Sequence, residues 1–191
     1  MAFSCFRPAL APPADRPLNL IPVITQRFAD SLNESTVFLG DSITQLWLLP
    51  IHNAGIGGQH TSEIFSRFPR DVLGHGYTRV VLLTGTNDVW SENGYLYQVV
   101  QEIGSMAAMA RAAGVEPALC ELPPMLNSPA FNADVIALNA MIAELARENG
   151  YLLVDYYTPM AEHPEYFVDG VHPNATGYAA MEAALAAVVK Q

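Results

Sequence analysis

Two cysteines in 191 residues, Cys5 and Cys120, leave no disulfide framework. Cys120 falls in an apolar stretch, where a free thiol behaves as a small hydrophobe. Basic residues are scarce as well. Nine Lys and Arg against 19 Asp and Glu give a formal net charge of −10, the reverse of a nucleic-acid-binding footprint. No run approaches the roughly 18 apolar residues of a membrane span, so no stable membrane insertion is expected. The first twenty residues carry Arg7, Arg16 and four prolines but no apolar core of a secretion signal, so a soluble cytoplasmic protein is the expectation. The two glycosylation sequons, at Asn33 and Asn174, are accordingly read as chance. His52, His60, His75 and His163 lack metal-ligand spacing, and no metal is assigned. Internal repeats and domain-sized linkers are absent, and nothing signals an oligomeric state.

What is present is one globular domain's worth of apolar residues, 51% of the chain. Residues 1–22 read as an extended, proline-bearing arm and 23–191 as the domain, with 23–33 a first helix. The chain is organised around Thr36-Val37-Phe38-Leu39-Gly40-Asp41-Ser42-Ile43-Thr44, an apolar run that breaks into Gly-Asp-Ser. That is a buried strand ending in a tight turn with Ser42 on it. The same three residues also read as a plain helix cap.

Residues 37–40, 51–54, 79–84, 116–122 and 151–155 read as strands. Residues 42–49, 61–68, 95–113, 133–148 and 175–189 read as the helices between and after them, with 158–174 a long loop. Alternation of this kind predicts a three-layer α/β/α sandwich around a five-stranded parallel sheet, flavodoxin-like, in the order 2-1-3-4-5.

In such a sheet, ligands bind beyond the carboxyl ends of the strands. Three polar or glycine-rich turns fall there: 40–42, 55–58 and 85–88. A fourth cluster, 169–174, leaves from the last strand over the same edge. A serine, glycine N–H groups, an asparagine amide, an aspartate and a histidine therefore converge, the parts needed for nucleophilic acyl transfer. Ser42 is the candidate nucleophile and His172 its base. Asp169, three residues earlier, can reach the other ring nitrogen and fix the tautomer. Ser42 N–H, Gly58 N–H and the Asn87 amide are the candidate oxyanion donors.

Each part alone has a plainer reading. Gly57-Gly58 is a flexible turn, Asn87-Asp88 a helix cap, and Asp169…His172 a surface pair. Asp41 and Asp88 read as acceptors that hold turn backbones. Asp155, at the end of a strand, is the alternative acid. Trp47 and Trp90 line a pocket or pack in the core; Trp90 is retained as a candidate substrate-binding residue.

Four blocks in order resemble the GDSL-type esterases of the SGNH hydrolase family: Gly40-Asp41-Ser42-Ile43, Asn53-Ala54-Gly55-Ile56-Gly57-Gly58, Gly85-Thr86-Asn87-Asp88 and Asp169-Gly170-Val171-His172-Pro173. The similarity runs from about residue 36 to the C-terminus. Ile43 stands where the family usually has leucine, a near-isosteric change. Counting from Asn53 places the glycine donor at Gly58, with Gly57 as the alternative. Gly-x-Ser-x-Gly is absent, which separates the chain from α/β-hydrolases.

The resemblance implies hydrolysis of a small-molecule carboxylic ester through an acyl-serine, with no cofactor. Family substrates include acetylated sugars, aryl esters, lysophospholipids and acyl thioesters. Short connections after the first three strands favour a shallow site and a short acyl group, acetyl or aryl esters, with acetylated carbohydrate among them. A lysophospholipase or acyl thioesterase, with a groove between Trp90 and the 123–131 loop, is the rival. A reading of another class is a non-catalytic flavodoxin-like ligand-binding module, with residues 55–58 cradling a phosphate.

Overall fold

The computed structural model describes residues 35–48, 52–91 and 95–189. The expected arm (1–22) and first helix (23–33) lie outside them. Strand β1 (Thr36–Gly40) leads through a one-turn helix, α1 (Ser42–Gln45), to β2 (His52–Gly55), α2 (Thr61–Val72) and β3 (Arg79–Leu83). There follow a short helix α3 (Thr86–Trp90), α4 (Leu96–Ala112), β4 (Glu116–Cys120), α5 (Pro129–Asn149), β5 (Leu152–Val154) and, beyond a 3-10 turn at Pro164–Tyr166, α6 (Ala175–Val189). All five strands are parallel, in the order β2-β1-β3-β4-β5. The expected sheet and strand order are therefore the ones observed.

Strand β1 is buried along its whole length, as a central parallel strand must be. On one face the sheet carries α2, α4 and α5 side by side. On the other, Phe38 meets Trp47 edge-on with ring centroids 5.3 Å apart, and Trp47 stacks on Tyr178 of α6 at 5.7 Å. Trp47 is thus core packing.

Several boundaries differ from expectation for identifiable reasons. The helix expected over 42–49 ends at Gln45, because the Asn53 side-chain amide donates to the carbonyls of Thr44 and Trp47 and turns the chain. Helix α5 starts at Pro129, not 133: Ser128 Oγ accepts from Phe131 N–H, and proline suits a first helical turn. Within the turn expected over 85–88 a short helix begins, α3, which runs on to Trp90.

Register places the site. Gly40 pairs with Gly55 on one side and Leu83 on the other, so the first three turns leave the sheet at one level. Both glycines are demanded by close approach. A Cβ on Gly40 would lie 2.4 Å from the Leu83 carbonyl oxygen, and one on Gly55 would lie 2.2 Å from the Gln45 nitrogen.

Candidate active site

Asp41 caps α1, its Oδ1 accepting from Ile43 N–H at 2.9 Å. Ser42 consequently occupies the first helical position, half-buried at the mouth of the turn. The loop after β5 returns over this edge. A bridge between Phe167 and Pro173, and the Val168 N–H donating to the His172 carbonyl at 2.8 Å, fold it into a tight hairpin. At its tip Gly170 has φ +84° and its carbonyl accepts from Leu126 N–H at 2.7 Å. The loop is thereby fixed to the β4–α5 connection.

This brings three side chains into one chain of hydrogen bonds. Ser42 Oγ lies 3.0 Å from His172 Nε2, and His172 Nδ1 lies 2.8 Å from Asp169 Oδ2. Asp169 Oδ1 accepts from the backbone N–H of His172 at 2.8 Å and of Val171 at 3.0 Å. Partial burial alone would raise the Asp169 carboxyl. The N–H groups and the imidazole outweigh it and bring the pKa down to about 2. An ionised Asp169 accepts only, so Nδ1 must carry the proton. Nε2 is then the lone pair, and Ser42 O–H donates to it. The arrangement can deprotonate Ser42 as it attacks a carbonyl carbon.

Asp155, the alternative acid, does not join this chain. Its Oδ1 accepts from Thr158 N–H at 2.8 Å. Burial, and next the neighbouring Asp155, push Glu121 up to about 7.

The oxyanion candidates can be sorted by which hydrogens are already used. Gly57 N–H donates to Gln45 Oε1 at 2.9 Å. Gly58, at φ +79°, makes no hydrogen bond among the described residues. Asn87 Nδ2 donates one hydrogen to the Gln59 carbonyl at 2.9 Å, which fixes the amide orientation and leaves the second hydrogen available. Gly55 N–H is held by Asn53 Oδ1 at 2.9 Å. With the N–H groups of Gly55 and Gly57 both occupied, the 55–58 loop is not an open phosphate cradle.

The remaining sequence candidates fall into supporting places. Asp88 Oδ2 accepts from Thr61 N–H at 3.0 Å and Thr61 O–H at 2.8 Å, tying α3 to the start of α2. Asp41 is 0% exposed, and its Oδ2 and the Thr86 hydroxyl have no well-formed hydrogen bond. Burial raises its carboxyl from 3.8 to about 6, against the pull of Ile43 N–H, Thr86 and His172. Trp90 is 48% exposed and stacks on Phe131 with centroids 5.7 Å apart, so it forms a surface shelf. Cys120 is buried, and burial pushes its thiol up to about 12, leaving it protonated. No group of three or more His, Cys, Asp or Glu is placed to hold a metal among the described residues. No helix there is long and apolar enough to cross a membrane.

Gln45 and Gln59 shape the site with no signal in the sequence, and Asn53, which opens the second sequence block, has a role in it that the block does not reveal. Gln59 acts through its backbone carbonyl, which no side-chain pattern reveals.

The sequence model of the GDSL-like lipase/acylhydrolase family matches residues 38–180. A GDSL-like lipase structure from Bacteroides thetaiotaomicron is 31% identical, with a TM-score of 0.74, over 81% of this chain and 87% of that one. The fold is shared with an acetylxylan esterase of Geobacillus stearothermophilus (18% identity, TM-score 0.73, 82% and 94% covered). It is shared too with a member of the lipolytic protein G-D-S-L family from Veillonella parvula (19%, 0.71, 82% and 98%). Among curated protein sequences, none matches the chain.

Proposed function

The chain belongs to the GDSL-like lipase/acylhydrolase family, and from that premise we propose that it is a serine esterase for short-chain carboxylic esters, acetylated carbohydrates among them. The observation that carries the reading is the continuous Ser42–His172–Asp169 chain at 3.0 and 2.8 Å.

In this reading Ser42 Oγ attacks the ester carbonyl carbon as its proton passes to His172 Nε2. The carbonyl oxygen becomes an oxyanion held by the N–H groups of Ser42 and Gly58 and the spare hydrogen of Asn87. Imidazolium stabilised by Asp169 returns the proton to the departing alcohol, leaving an acyl-serine. Water, deprotonated by His172, attacks the acyl carbon; Ser42 leaves with the proton and the carboxylic acid departs.

The Trp90–Phe131 shelf supports a flat leaving group, a sugar or an aryl ring. Trp90 lies three residues from Asn87 on α3, hence on the same side of that helix. One observation favours a longer acyl chain instead: Ile56, within the 55–58 loop that carries the Gly58 donor, and Val168, next to Asp169, are apolar and exposed. Hydrolysis of p-nitrophenyl esters from acetate to palmitate, with Ser42→Ala beside wild type, separates the readings. The expected result is a rate that falls beyond butyrate and vanishes in Ser42→Ala. A maximum at long chains supports a lysophospholipase or thioesterase. Equal rates in both proteins overturn the esterase reading.

A further inference from the structure

Arg67 lies on α2, outside the residues of the reaction, yet it is only 6% exposed. A buried guanidinium needs partners, and each of its three nitrogens donates to one or more. Its Nη2 donates to the Gly40 carbonyl at 2.9 Å and its Nη1 to the Ala54 carbonyl at 2.8 Å. Nε donates to Gln59 Oε1 at 2.7 Å, and Nη1 also to Asp71 Oδ2 at 2.7 Å. Hydrogen bonding to Arg70 first, and to Arg67, holds Asp71 below the usual carboxylate range, so it balances the buried charge.

The three site-directed contacts are on three different pieces of the active edge. Gly40 ends β1 two residues before Ser42. Its carbonyl also accepts from Ile56 N–H at 3.0 Å, two residues before Gly58. Ala54 is the penultimate residue of β2, just before the same loop. Gln59 follows Gly58, and its carbonyl orients the Asn87 amide. Arg67 is thus joined to both ends of the oxyanion loop, to the nucleophile turn, and through Gln59 to Asn87.

The geometry points to Arg67 as the positioning residue of the oxyanion hole, fixing the mutual placement of the Ser42 N–H, the Gly58 N–H and the Asn87 amide. This rests on the esterase reading above. A guanidinium suits the task because its donors leave a rigid plane in diverging directions, so two carbonyls and a side-chain oxygen can be spanned at once. A lysine ammonium offers three donors from one point and cannot hold them at that spacing. Oxyanion donors act only when about 2.7–3.1 Å from the developing charge, so a small shift weakens transition-state binding more than substrate binding.

The test measures kcat and KM for p-nitrophenyl acetate, and inhibition by phenylboronic acid, for wild type, Ser42→Ala, Arg67→Lys and Arg67→Met, with unfolding temperatures in parallel. A boronic acid bonded to serine is tetrahedral and reads the oxyanion hole directly. Expected for both Arg67 variants is a kcat loss of about 10- to 100-fold, below the cost of deleting a donor outright. KM should stay within about twofold, with boronate inhibition weakened in step with kcat. Wild-type kcat per folded molecule, or losses confined to KM, would overturn the inference while leaving the esterase reading intact. An inactive wild type would overturn both. Should the Arg67 variants fail to fold, Gln59→Met removes one guanidinium contact and keeps the carbonyl that holds Asn87. A kcat loss with unchanged KM supports the role, and unchanged kcat refutes it.

Discussion

Ser42 Oγ and His172 Nε2 stand 3.0 Å apart across 130 residues of sequence. The contact exists because two loops, one leaving β1 and one leaving β5, cross the same sheet edge. Its direction, hydroxyl donating to ring nitrogen, is set from behind by Asp169. Asp169→Asn tests that orientation. The amide still accepts from the backbone N–H groups of Val171 and His172, but its nitrogen donates to the ring and favours the wrong tautomer. A fall in kcat of about 10³- to 10⁴-fold is expected, with the fold retained, as read by initial rates and circular dichroism. A loss below tenfold would remove Asp169 from the role.

The occupied and unoccupied N–H groups give a second prediction. Asn87→Ala should lower kcat about 100- to 1000-fold. Gln45→Met, which frees the Gly57 N–H without touching Gly58, should cost far less. A gain in kcat from Gln45→Met would point instead to Gly57 as the donor, released from the acceptor that occupies it.

Trp90→Ala removes the shelf and leaves the hydrogen-bonded chain alone. Stacking is worth about 0.5–1.5 kcal/mol, so KM for naphthyl acetate should rise up to about tenfold. The KM for ethyl acetate should hardly move. Equal changes for both esters would show that the shelf does not contact the leaving group.

Asp41 makes stability depend on pH. Its folded-state pKa is raised, from 3.8 to about 6, so the native state binds the proton more tightly than the unfolded chain does. Stability from this group is fully present below about pH 4 and is lost as pH rises through 6, a difference of about 3 kcal/mol. Asp41→Asn keeps an oxygen for Ile43 N–H and removes the titration. Urea unfolding between pH 4 and 7 should show the variant gaining on wild type as pH rises, and parallel curves would contradict the assignment. Asp169 has the opposite sign. Its pKa of about 2 means that its contribution is present above about pH 4 and fades as pH falls toward 2.

Much of this was legible because parallel strands announce themselves. Runs such as Val80-Val81-Leu82-Leu83 are buried on both faces, and the polar turns that follow them must share one edge. The residues that converge there could be named from order alone. Trp90 could not be placed, since an aromatic after a strand reads equally as core or surface; its stacking on Phe131 is a tertiary fact. Arg67 does have a trace in the helical spacing. Thr61, Ile64, Phe68 and Val72 mark the buried stripe of α2, and Arg67 lies against it, a charge at a core position. The roles of Asn53 and Gln59 left none, because their effect is exerted on backbone carbonyls and side chains that only the fold brings near.

The spread of the site over the sheet also sets when reactivity can arise. Helix α6 reaches from β5, an edge strand, back to α1, where Tyr178 O–H donates to the Ile43 carbonyl at 2.8 Å and Trp47 Nε1–H to Glu182 at 3.1 Å. The histidine precedes that helix directly. A refolding species with its sheet formed but α6 and the loop before it undocked lacks the base beside Ser42, and its serine is inert. Return of ester hydrolysis after dilution from denaturant therefore times the final docking step, and it should lag behind recovery of the far-ultraviolet signal.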